Sequence, residues 1–126
     1  MSAQTQVQSL EKQMIGKWKL ANVVVSSDYP KDVAAQIAKL QIEFNVWKNT
    51  IWDFQAEYQY EILEKNQKGI YRFSGEKLYL ELGERELKGI PTLVKEVITF
   101  TFAEGMSKVT FIFDKNPKKE KPKKKK

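Results

Sequence analysis

The chain has 126 residues, enough for one domain with a single core, and 41% of them are hydrophobic and 12% aromatic, ample for a packed interior. It contains neither cysteine nor histidine, which excludes thiol nucleophiles, disulfides, zinc–thiolate and iron–sulfur sites, the Ser-His-Asp relay and the commonest transition-metal ligand. The net charge of +6 divides unevenly, with eight lysines against one glutamate in residues 115–126 and fourteen Lys/Arg against fifteen Asp/Glu in residues 1–114, so basicity belongs to the tail alone.

Residues 1–13 are polar and form a flexible lead with little to bury beyond Val7 and Leu10. Gly16–Ser26 is β-branched and aromatic in the manner of a strand, with Trp18, Leu20, Asn22 and Val24 on one face. Asp28-Tyr29-Pro30 is a turn and helix-start signal, and the alanine-rich Asp32–Lys39 follows as a short helix. Two periods compete beyond it. Val33, Ile37, Leu40, Phe44 and Trp47 form a helical stripe, whereas Leu40, Ile42, Phe44 and Val46 alternate at the strand period. The expectation is helix to about residue 39 and strand afterwards.

Between Trp52 and Ile62, Trp52, Phe54, Ala56, Tyr58, Tyr60 and Ile62 alternate with polar residues, which predicts one long strand with a buried face and a wet face. Glu64–Gly69 reads as a turn and Ile70–Phe73 as a strand. Ser74-Gly75-Glu76 leads tightly into the strand Lys77–Leu82, and Gly83–Pro91 reads as mostly loop. Leu93–Phe102 and Lys108–Phe113 close the domain as a hairpin. The predicted fold is all-β, an antiparallel meander of seven or eight strands over residues 14–114 with one short helix after the first strand. A twisted meander of that length closes on itself and so removes its edges. Residues 115–126 are low-complexity and predict a solvated, disordered tail.

Gly16-Lys17-Trp18-Lys19-Leu20 resembles the G-x-W opening strand of lipocalins and fatty-acid-binding proteins, the calycins. The short helix after that strand, Phe44-Asn45, the turn through Lys48-Asn49-Thr50 and the aromatic run from Trp52 are similar to bacterial lipocalin-like proteins. The resemblance covers about residues 14–114 and implies a lipocalin-like barrel in which Trp18 packs structurally across one end. The arginine clamp of fatty-acid carriers has no counterpart, because Arg72 and Arg85 are the only arginines and neither lies on the last strand. Ser2-Ala3-Gln4-Thr5-Gln6 resembles what remains after signal cleavage in exported bacterial proteins, which implies an exported chain; without that signal the expected location is cytoplasmic.

The tentative barrel lining is Leu20, Val24, Phe54, Tyr58, Tyr60, Leu80, Phe100 and Phe102, with tyrosine hydroxyls as orienting groups for a small apolar or weakly polar ligand. The same rings equally describe a filled core, and then the domain is a structural or protein-interaction module. Asp53, Glu57 and Glu61 share the wet strand face, where no pocket shifts a pKa, so no catalytic or metal-binding residue is assigned and no enzyme or cofactor is expected. No continuous apolar run exceeds three residues, such as Val23–Val25, so no helix can span a bilayer. The expected state is a monomer. Eight lysines give the tail a weak affinity for polyanions, but without arginine or interleaved aromatics it recognises no specific nucleic acid.

Overall fold

A computed structural model describes residues 10–115. Its strands are β1 (Gly16–Ser27), β2 (Ile51–Gln55), β3 (Gln59–Ile62), β4 (Gln67–Ser74), β5 (Lys77–Leu82), β6 (Arg85–Val94), β7 (Val97–Glu104) and β8 (Ser107–Asp114), with helix α1 (Ala34–Asn45) between β1 and β2. Each strand pairs antiparallel with the next, and β8 pairs back onto β1, so the meander closes into an eight-stranded barrel. Closure gives every strand of the described barrel a strand neighbour on each side over part of its length.

Three turns are carried by glycine at positive φ, at Gly75, Gly83 and Gly105, where a two-residue connection reverses the chain between consecutive strands. Two other turns have no such residue. Glu57 and Tyr58 adopt φ values of 70° and 62°, and Lys95 and Glu96 adopt 50° and 68°. These left-handed positions correct the reading of 52–62 as one strand, because Gln55 pairs with Gln59 across a hairpin that begins at Ala56. They also divide the predicted strand Leu93–Phe102 into the end of β6 and the start of β7, where Val94 pairs with Val97. The predicted loop Gly83–Pro91 is likewise mostly strand, since β6 starts at Arg85 directly after the Gly83 turn.

The helix extends to Asn45, which corrects the strand expected after residue 39. The helical stripe prevails because it buries more: Leu40 and Phe44 are in the core and Ile37 and Trp47 pack against it, while Ile42 is 71% exposed. Phe44 inserts its ring edge-on between Phe102 and Phe111, at centroid distances of 5.6 and 5.8 Å. On β1, the partners of Leu20 and Asn22 are the adjacent residues Phe113 and Ile112, so Ala21 is an extra residue and forms a β-bulge. The bulge reverses the side-chain alternation. Val23 and Val25 turn inward, and Asn22 and Val24, expected inside, turn out to solvent.

Strand β2 follows β1 only as far as Lys19. Beyond that point the α1 side chain of Gln41 takes the place of a neighbouring strand, its Nε2 donating to the Val23 carbonyl at 2.7 Å and its Oε1 accepting from the Val25 N–H at 3.2 Å. The helix is further tied to the barrel by the Arg85–Glu43 ion pair and by a Ser107 hydroxyl hydrogen bond to Gln36 at 3.1 Å. Of the predicted lead, Leu10 is half-buried and packs against the core, and directly after it Met14 is fully buried and its carbonyl accepts the Trp18 indole N–H at 2.8 Å. Residues 1–9 of the lead and 116–126 of the tail lie outside the described residues.

Candidate functional site: the barrel lumen

Inward positions of successive strands meet in the lumen. Leu20, Phe54, Tyr60, Leu80, Phe100 and Phe102 are all buried there, as predicted from their alternation. Two of the predicted lining residues are elsewhere. Val24 is 41% exposed because the Ala21 bulge moves it to the outer face. Tyr58 is 48% exposed because it stands in the β2–β3 turn at positive φ, with its hydroxyl directed at Glu11 Oε2, 3.4 Å away.

The lumen also receives Trp52, from the buried face expected for 52–62, and four rings that the predicted lining did not include: Phe44, Tyr71, Phe111 and Phe113. For Phe111 and Phe113 the signal was present in the sequence, since Val109, Phe111 and Phe113 alternate with polar or outward residues along β8. Trp52 stacks on Tyr60 at 5.2 Å with an interplanar angle of 17°, and meets Phe113 edge-on at 5.4 Å. Phe54 contacts Phe113 at 5.9 Å and Tyr71 at 5.3 Å. Phe100, Phe102 and Phe111 continue the chain of contacts to Phe44. Such edge-to-face and offset pairs add about 0.5–1.5 kcal/mol each beyond the area they bury.

The polar atoms of this interior are already committed. The Tyr60 hydroxyl donates to the Glu81 carbonyl, and its ring fits because residue 69 is glycine; a Cβ there would lie 2.6 Å from the Tyr60 oxygen. The Tyr71 hydroxyl donates to the Gln55 carbonyl at 3.0 Å, and the Trp52 N–H donates to Thr50 Oγ1 at 2.8 Å. Among the described residues no buried side-chain nitrogen or oxygen lacks a hydrogen-bond partner. Thr50 and Ser107 are the polar side chains among the buried described residues, and neither carries charge.

Burial, followed by the nearby Glu81 carboxylate, raises the Tyr60 phenol far above its ordinary value. Tyr71 is pushed up to about 12, by burial first and then by Tyr58 and Glu11. Between the unfolded value near 10 and the folded value, the native state keeps protons that the unfolded chain releases. Their contribution to stability is therefore complete below pH 10 and is lost as pH rises through 12. A phenolate absorbance titration will show tyrosines that ionise only on alkaline unfolding, and the denaturant midpoint will begin to fall above about pH 10.

An open cleft of about 310 Å³ lies at the β3–β4 pairing, between Gln55, Gln59, Glu61, Lys68 and Ile70, and reaches in to Tyr60 and Gly69. Its charged residues face each other, since Glu61 pairs with Lys68 across the strands. Asp53 in turn stands between Glu61 and Lys17, so Asp53 and Glu61 are neighbours in one outer row flanked by Lys17 and Lys68, while Glu57, expected on the same strand face, stands in the β2–β3 turn. Among the described residues no group of three or more acidic side chains is placed to hold a metal ion.

Comparison with protein-family models, with curated proteins and with solved structures finds no match to this chain. The functional reading rests on the geometry.

Proposed function

We propose that this chain is a non-enzymatic, lipocalin-like binding module whose lumen is a packed core and whose partners meet its outer surface. The observation that carries this reading is the continuous contact of rings across the lumen, from Phe44 on α1 through Phe102 and Phe111 to Trp52, Tyr60 and Phe54. A carrier's pocket combines apolar walls with a few polar groups that wait for the ligand. Here the tyrosine hydroxyls inside are spent on backbone carbonyls. The lipocalin likeness is supported by the closed eight-stranded meander opening on Gly16-Lys17-Trp18.

Titration with an environment-sensitive apolar dye separates this reading from a carrier of small apolar ligands. The expected result is no saturable fluorescence change at micromolar protein, and none on adding competing lipids or aromatic metabolites. Saturable binding at one site, abolished by Leu80→Trp in a folded variant, would establish the carrier instead.

A further inference from the structure

Strand β1 is paired on one edge by β8 from Lys19 to Ser27, but on the other by β2 only from Gly16 to Lys19. At Leu20 that second edge is met by backbone: its N–H donates to the Thr50 carbonyl at 2.9 Å and its carbonyl accepts from the Asn49 N–H at 2.7 Å. At Val23 and Val25 the partners are side-chain amides. Asn22 Oδ1 accepts from the Val23 N–H at 2.9 Å, and Gln41 of α1 takes both the Val23 carbonyl and the Val25 N–H. One carboxamide thus presents a donor and an acceptor where a peptide unit of another strand would. The next turn of the helix fixes its pose, since Gln41 Nε2 also donates to Asn45 Oδ1 at 3.1 Å.

The covered segment lacks the features that keep a strand edge from pairing. Asn22-Val23-Val24-Val25-Ser26-Ser27 carries no charge and no proline, and its three successive valines favour extension. A helix laid along the edge is the remaining protection. That helix is lightly held. Of its twelve residues only Leu40 and Phe44 are buried, Val33 gives it no side-chain cap, and neither end carries a charge that favours the helix dipole. A helix of that length is marginal alone in water, so its position depends on Phe44, on Gln41, on the Arg85–Glu43 ion pair and on the Ser107–Gln36 hydrogen bond.

The two groups that Gln41 occupies are self-complementary. With antiparallel pairing about a two-fold axis at Val24, the Val25 N–H of each copy donates to the Val23 carbonyl of the other. Val24 then lies opposite its own counterpart and Asn22 opposite Ser26, so no like charges meet. We propose that residues 22–27 of β1 are a latent pairing edge for a second copy of this chain, and that α1 controls access to it through Gln41. The proposal names a partner for the outer surface and rests on that reading.

The test is sedimentation velocity of the full-length chain over a range of concentrations, with circular dichroism to establish that each variant keeps its barrel. The unmodified chain will be monomeric. Gln41→Ala combined with Arg85→Ala removes the two edge hydrogen bonds and the ion pair that hold α1, and will strengthen dimerisation at least tenfold. Gln41→Ala alone, a milder change, will act in the same direction should the double variant not fold. Adding Val24→Lys, at an outward position 41% exposed, sets like charges opposite each other at the axis and will return the loosened chain to monomer. A folded, loosened variant that stays monomeric would overturn the proposal. So would association that survives Val24→Lys, because the contact would then lie elsewhere, or an unmodified chain that already dimerises, because α1 would then control nothing. Failure here with the dye still unbound by the unmodified chain would remove the second copy as a partner and leave the packed-lumen reading standing; saturable dye binding by that chain would remove the reading itself.

Discussion

Replacing Trp18 by alanine lowers the free energy of unfolding by about 3–5 kcal/mol, the cost of deleting a large buried aromatic whose space the surroundings cannot fill. Trp18 is buried on β1 and pairs with Trp52 on β2, so its loss opens the core at the strand that closes the barrel. It also removes the indole donor to the Met14 carbonyl at 2.8 Å, which ties the lead to the barrel, and the cation–π partner of Lys115 at 4.8 Å. Trp18→Phe retains most of the volume without the donor, and will lose less. Equilibrium denaturation monitored by circular dichroism measures both changes; an unaltered midpoint in Trp18→Ala would show that the residue is not in the core.

The second large effect is expected at Gly89, where the added group is a single methyl. A Cβ there would overlap the backbone carbonyl of Thr101 on β7 and come within 3.0 Å of the Phe100 ring. Backbone cannot yield as a flexible side chain does, so β6 and β7 must separate where Gly89 pairs with Phe102. Overpacking of a close-packed site costs about 1–3 kcal/mol, and a backbone overlap belongs at or above the top of that range. Gly89→Ala will therefore lower the free energy of unfolding by about 3 kcal/mol, whereas Gly83→Ala, whose Cβ meets nothing but whose φ is +63°, will lose only the smaller strain of a left-handed alanine, about 1–2 kcal/mol. Equal losses in the two variants would show that the close approach of β6 and β7 is absent.

How far the sequence reveals this fold depends on where its turns carry glycine. Gly75 and Gly105 mark their hairpins, and the strands beside them match the alternating pattern read from the sequence. At Glu57-Tyr58 and Lys95-Glu96 residues with side chains take the same positive φ, so no glycine marks the turn and two strands read as one; at Glu57-Tyr58 the alternation also runs through the turn without interruption. The Ala21 bulge is equally silent, since an extra residue leaves composition unchanged while reversing every side chain after it; alternation alone therefore places Val24 in the lumen. Helix α1 carried both periods, and burial of Phe44 among Phe102 and Phe111 decides between them through contacts far along the chain. Of the lumen itself, Leu20, Phe54, Tyr60, Leu80, Phe100 and Phe102 were legible from period two. That the tyrosine hydroxyls end on backbone carbonyls was not, because it depends on which strand lies opposite.

The central claim, that rings meet across the lumen and fill it, is tested most directly by nuclear Overhauser contacts among aromatic protons in the full-length protein. The account predicts cross-peaks from Phe44 to Phe102 and Phe111, and from Trp52 to Phe113, pairs whose ring centroids lie 5.4–5.8 Å apart. Absence of these contacts, with cross-peaks from the same rings to water or to an added apolar molecule, would contradict it.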